Sequence, residues 1–243
     1  MPADEAEVAV GRLLELVPAG HELTEAPGGL VELAVYVDEG GVEALRSAFT
    51  AVAITPVAPG WEDAWRSFHH GVRIGPLWIG PPWEEPPAGA VDVVIDPGRA
   101  FGTGAHPTTR LALELLSTVD AGGVLDVGCG SGVIAIAAAK LGFAPVRAGD
   151  VDPEALAVTR ENAARNGVEV EAAPLDARAD EAAADVVVAN IALDVVEALA
   201  PRVRCRDLIL SGYLAAETPR VPGLVHRARR ELGGWAADAF RPE

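Results

Sequence analysis

The chain has 243 residues, half of them hydrophobic, with 19 Lys and Arg against 36 Asp and Glu, a formal net charge of −17. Its averaged field repels phosphate backbones, which excludes a nucleic-acid grip through a broad basic face and suits a basic protein or a small molecule; such an acidic excess also serves plain solubility. No apolar run reaches the roughly 18 residues a membrane span needs, and the acidic start is the reverse of a secretory signal. Only two cysteines occur, Cys129 and Cys205, without CxxC spacing. These features predict a cytoplasmic, soluble chain with no membrane partner and no direct nucleic-acid partner, acting as a monomer.

In chain order, residues 5–17 have amphipathic helical spacing, 30–37 read as a strand, 41–49 as a helix and 51–57 as a strand. That pattern predicts a small α+β unit over 1–57. From Pro56 to Pro87 the composition shifts to proline, glycine and tryptophan, with Trp61, Trp65, Trp78 and Trp83 in the window. A linker is predicted over 58–90, too aromatic for a free tether and so packed on a neighbour.

Beyond Val91 strands and helices alternate. Strands are predicted over 91–95, 123–127, 146–150, 168–172, 185–189 and 207–210, and helices over 108–119, 132–141, 153–166 and 193–199. Such βα repetition predicts an α/β domain over 91–243, its parallel sheet covered on both faces.

The strand ending Val124-Leu125-Asp126-Val127 runs into Gly128-Cys129-Gly130-Ser131-Gly132 and then an apolar helix. Glycines let the backbone turn sharply and approach a ligand, and the helix start offers unpaired N–H groups to an anion. A dinucleotide fingerprint GxGxxG requires glycine at 133, where Val133 stands. By itself GxGxG also fits a plain tight turn. Asp150, about 20 residues on at the end of the next strand, supplies a carboxylate for two ribose hydroxyls.

Asp152-Pro153 reads as a helix cap. Asp176 follows the third strand, either to accept from an adenine amino group or as an ordinary loop aspartate. Asn190 ends the strand over 185–189 at the carboxyl edge, where open α/β sheets bind ligands; its carbonyl can receive an amine proton, or its side chain can form an Asx turn. No HExxH or cysteine–histidine set predicts a metal.

The segment Asp96-Pro97-Gly98-Arg99-Ala100-Phe101-Gly102-Thr103-Gly104-Ala105-His106-Pro107-Thr108-Thr109 is far more specific. It resembles the signature of the ribosomal protein L11 methyltransferase family. The likeness extends to Trp61-Glu62 and Trp65, Phe68-His69, Leu77-Trp78-Ile79, the glycine turn, Gly149 to Pro153, Asn162-Ala163 with Asn166-Gly167, Val188-Ala189-Asn190-Ile191 and Leu210-Ser211-Gly212.

The resemblance implies a Rossmann-like class I methyltransferase domain with a small amino-terminal α+β domain that holds the substrate, S-adenosylmethionine as cofactor, and ribosomal protein L11 as a substrate methylated on lysine and N-terminal amines. Thr109, Gly128, Gly130, Asp150 and Asn190 fall on cofactor-contacting positions, with Phe101 in a loop over 101–109 that closes on the methionine end. Asn190 would also orient the acceptor amine. Thr108 reads as a helix cap and His106 as a local hydrogen-bonding residue.

The sequence departs from the family at the ends: the first strand of a ferredoxin-like substrate domain is not evident before Glu5, no strand is expected beyond 235–240, and the stretch 201–208 lacks a proline–glycine turn. Two other readings follow from the same residues. One keeps methyl transfer but directs it to another protein lysine or a small amine. The other is a degenerate cofactor-binding module; a dinucleotide oxidoreductase ranks behind both.

Overall fold

A computed structural model describes residues 13, 22–26, 30–35, 37, 39–49, 52–55, 70–96 and 104–242. Its contacts divide the chain into two units, 1–61 and 62–243. The predicted helix over 5–17 and the stretch before Glu5 lie outside the described residues, apart from Leu13, which is helical and buried.

The first unit has an antiparallel pair, β1 (Glu22–Ala26) and β2 (Leu30–Ala34), and a helix, α1 (Glu39–Ala48). Leu13 and Leu45 are buried together, with Val35, Val37 and Phe49 packed on them. The strand β1 was not foreseen, and the described part of the strand predicted over 51–57 is irregular at 52–55.

In the second unit, part of the predicted linker is sheet. β3 (Val72–Ile74) and β4 (Leu77–Gly80) form a hairpin, and β4 pairs in parallel with β5 (Val91–Val94). All four β4 residues are buried. The apolar Leu77-Trp78-Ile79 run thus makes the central strand of a small sheet. β5, predicted to begin the main sheet, belongs to this one.

The main sheet is built from β6 (Val124–Val127), β7 (Val146–Asp150), β8 (Glu171–Pro174), β10 (Val186–Asn190), β12 (Asp207–Leu214), β13 (Val225–Leu232) and β14 (Trp235–Arg241). Two-residue strands β9 (Ala182–Ala183) and β11 (Val203–Arg204) pair separately. The main order is β13-β14-β12-β10-β6-β7-β8, parallel from β12 to β8, with β14 reversed between β12 and β13. The predicted alternation stops at 210; the hairpin of β13 and β14 extends it.

Helices α2 (Pro107–Leu116), α3 (Val133–Lys140), α4 (Pro153–Arg165) and α5 (Leu193–Leu199) complete the unit. Because successive strand residues point to opposite faces, β6, β10, β12 and β14 each feed two cores. Val124, Val186, Val188, Ile209 and Ala237 join the cluster that contains Leu111 and Leu115 of α2, Ile134 of α3 and Leu156 of α4. Leu125, Val127, Val187, Ala189, Leu208, Leu210 and Phe240 join the other, with Val196 and Leu199 of α5. The same parity puts Asp126, Asn190 and Ser211 on the α2–α3 face, a placement that shapes the site. Among the described residues no helix is long and apolar enough to cross a membrane.

Candidate functional site

β6 ends in Val127, and the chain then turns through Gly128 and Gly130, with φ of 73° and 52°. A Cβ on Gly128 would sit 2.3 Å from Cγ2 of Ile191, so only glycine satisfies both the left-handed backbone and the approach of the β10 end. The amides of Gly128 and Cys129 donate to the Gly149 carbonyl of β7 at 2.8 and 3.1 Å. From α4, Thr159 donates to the Gly130 carbonyl at 3.1 Å, and the Asn162 amide to the Ser131 carbonyl at 2.9 Å. Neutral donors therefore hold the turn's carbonyls. Asn166 pairs with β5 as a further backbone would, accepting from Val94 N at 2.8 Å and donating to its carbonyl at 2.7 Å. The Asn-Ala-x-x-Asn motif thus supports the turn and β5 from one helix.

Asp150 stands at the carboxyl end of β7, accepting from Gly130 N and Asp152 N, both at 3.0 Å. Each carboxylate oxygen keeps a further lone pair. Val151 beside it is 69% exposed, a large apolar side chain in water at the edge of a polar turn. Asp152 caps α4, accepting from Glu154 N at 2.8 Å, as expected.

Asp126 is 1% exposed. Its Oδ2 accepts from Ala135 N of α3 at 3.1 Å, while Oδ1 has no hydrogen-bond partner. Burial raises its carboxyl to about 7, the Ala135 bond opposes this, and the charge of Asp150 adds to it. Burial, with the charge of Asp126, pushes the Cys129 thiol up to about 12, so it is no nucleophile at neutral pH.

Across the face, Asn190 donates to Thr109 Oγ1 at 3.3 Å, joining two residues 81 apart in sequence. Thr109 is 1% exposed. His106 caps α2: its Nδ1 lies 2.7 Å from Thr108 Oγ1 and accepts from Thr108 N at 3.4 Å. The Trp235 ring meets the His106 ring edge-on, centroids 4.9 Å apart. Ser211 Oγ is within hydrogen-bond distance of the Thr108 and Ala236 carbonyls, at 3.2 and 2.8 Å. Strand β14, absent from the predicted order, thus touches the start of α2. Gly104, with φ of 83°, leaves no room for a Cβ against Ile79 of β4, so the end of the signature loop rests on the unforeseen small sheet.

Thr109, Gly128, Gly130, Asp150 and Asn190 lie along one edge of the sheet or in contact with it. Phe101 falls outside the described residues. Asp176 is exposed, and its Oδ1 accepts from Arg178 N at 2.8 Å in an Asx turn. Asp126 and Val151 were not singled out from sequence, although both stand in quoted motifs. An acid just before a glycine turn and an apolar residue just after a strand-terminal acid were the available signals.

The family described as "Ribosomal protein L11 methyltransferase (PrmA)" matches residues 42–226. A protein named ribosomal protein L11 methyltransferase from Edwardsiella ictaluri is 47% identical over 173 residues, 66% of this chain and 59% of its own length. One of the same name from Vibrio cholerae is 49% identical over 172 residues, 66% of this chain and 58% of its own. The chain therefore spans somewhat under three fifths of the length of these relatives. The crystal structure titled ribosomal protein L11 methylase from Lactobacillus delbrueckii subsp. bulgaricus superposes with a TM-score of 0.65 at 30% identity, covering 72% of this chain and 99% of that one. The architecture is the Rossmann-like class I methyltransferase fold. Matched from residue 42 to residue 226, the chain belongs to the ribosomal protein L11 methyltransferase family.

Proposed function

We propose that the chain is a cytoplasmic S-adenosylmethionine-dependent protein N-methyltransferase that methylates lysine and N-terminal amines of ribosomal protein L11, with residues 1–57 holding the substrate and 91–243 the cofactor. One observation carries the reading: the glycine turn, Asp150 and the Asn190–Thr109 pair share one sheet edge, with a buried acid beneath them whose Oδ1 lacks a partner. That orphaned oxygen suits a ligand cation, and the cofactor bears an ammonium group. Asp150 would accept from the ribose hydroxyls, Val151 would cover an adenine face, and Asp176 would accept from the adenine amino group. Gly128 and Gly130 would let the methionine end approach the backbone, beneath the loop that carries Phe101.

When bound, the cofactor supplies an electrophilic methyl group for in-line attack by an uncharged amine. The chain's own task is positioning. Asn190, anchored through Thr109, would direct its carbonyl at the acceptor N–H, and the loop over 101–109 would exclude water. A lysine amine has an ordinary value near 10.4, so it must lose a proton before attack.

The test is mass spectrometry of isolated L11 incubated with the protein and S-adenosylmethionine. Mass gains in methyl steps on amines are expected. Unmodified L11 despite measurable cofactor binding would favour the degenerate binding module, and methylation of another protein instead would redirect the substrate assignment.

A further inference from the structure

Asp126 is sealed beneath the turn with one oxygen satisfied and the other not. A buried anion left in that condition is costly, and its neighbourhood offers no relief. On its own strand and turn the nearby titratable group is Cys129, neutral because burial raises its thiol. From β7 it faces Asp150, a second carboxylate. α3 presents an amide, that of Ala135; the α4 hydroxyl of Thr159 is engaged with Cys129 Sγ at 3.3 Å and with the Gly130 carbonyl. The flanking positions on β7 and β10 are Ala148 and Val188. The charged residues of α2 are Arg110 and Glu114, and among the described residues no Lys, Arg or His forms an ion pair with Asp126.

Resting on the cofactor reading above, we propose that Asp126 carries a proton on Oδ1 in the empty protein and releases it to solvent as the cofactor's ammonium group binds, so that binding is coupled to the loss of one proton. The O–H bond breaks, its electron pair stays on the carboxylate, and the new ion pair replaces the missing hydrogen bond. No other reactant is needed. Because the empty-state carboxyl is raised to about 7, affinity for S-adenosylmethionine falls about tenfold per pH unit below that value, and it falls again above about 8, where the cofactor's amine loses its charge.

Isothermal titration of the full chain with S-adenosylmethionine at pH 6, in buffers of different ionisation enthalpy, counts the proton. At that pH the cofactor's own amine, which titrates near 8, stays protonated and contributes nothing. About nine-tenths of a proton per site is expected to be released, from a carboxyl raised to about 7, and close to none from Asp126→Asn. Infrared difference spectra of the unsubstituted protein should lose a protonated-carboxyl band on cofactor addition, a measurement independent of how the variant folds. Binding heat that does not depend on buffer, or an Asp126→Asn variant releasing the same proton, overturns the coupling and leaves the cofactor reading intact. Absence of any binding heat in the unsubstituted protein overturns the cofactor reading, and the coupling with it.

Discussion

The glycine-turn edge and the hairpin edge of the main sheet both bury a carboxylate, and they treat it differently. Asp126 beneath the turn has one amide donor and one empty oxygen. Asp238 on β14 is also 1% exposed, yet it accepts from Tyr213 Oη at 2.8 Å and Arg229 Nη1 at 3.0 Å, and His226 Nε2 lies at 2.7 Å. Arg229 also donates to the Ala215 and Glu217 carbonyls, at 2.7 and 2.9 Å, tying down the helix-free connection between β12 and β13. Parallel strands are usually joined through a helix; here a guanidinium and the packed Val221 and Leu224 do that work. The carboxylate of Asp238 is saturated and holds structure together, whereas that of Asp126 keeps one oxygen with no hydrogen-bond partner.

The sharpest way to break this contrast is Asp238→Asn. Removing the charge that faces Arg229, which keeps Glu231 and two carbonyls, should cost about 1–3 kcal/mol in urea unfolding, while the cofactor Kd stays unchanged. If both fall together, the two edges are not separable. Next in size is Gly128→Ala, whose methyl would impose a left-handed strain of about 1–2 kcal/mol and displace Ile191 from a 2.3 Å clash. Titration calorimetry should record S-adenosylmethionine affinity weakened about tenfold or more.

Asp126→Asn should do the reverse to stability. The folded carboxyl is raised to about 7 from an ordinary 3.8, so between these values the folded chain holds a proton that the unfolded chain has lost. This group's contribution is therefore greatest at acid pH and declines as pH rises towards 7. Asparagine imitates the neutral form at every pH, so the variant's melting temperature should exceed that of the unsubstituted protein by more at pH 8 than at pH 5. Equal gaps would mean that Asp126 is already ionised in the empty fold.

A smaller effect is expected from Thr109→Val, which removes the acceptor for Asn190. A lost hydrogen bond of about 1 kcal/mol corresponds to roughly a fivefold fall in the proposed methylation of L11. Asn190→Ala should fall further, and unchanged turnover together with unchanged cofactor affinity would take Asn190 out of the site. Smallest of all, Arg178→Ala breaks an ion pair with Asp194 that lies in open solvent, and the melting curve should not move.

The predicted strand 146–150 and helix 193–199 match β7 and α5 residue for residue, and the starts of α3 and α4 fall within one residue of their predicted positions. Glycines, caps and apolar periodicity act within a few residues, so the turn, the cap at Asp152 and most of the parallel sheet were legible. The small sheet was not, because a proline- and tryptophan-rich composition reads as a linker until Leu77-Trp78-Ile79 finds β3 and β5 on either side. Strand β13 was also missed: its alternate residues carry charges, Arg227, Arg229 and Glu231, and it becomes a strand by pairing with β14.

The sequence by itself thus determined the family, the turn and the acid that ends the next strand, since each is written in contiguous residues. Only the tertiary structure decided which acid is half-satisfied, which amide meets Thr109 and what replaces a crossover helix. Those outcomes depend on partners far apart in the chain, such as Asn190 and Thr109, and on burial that no local spacing encodes.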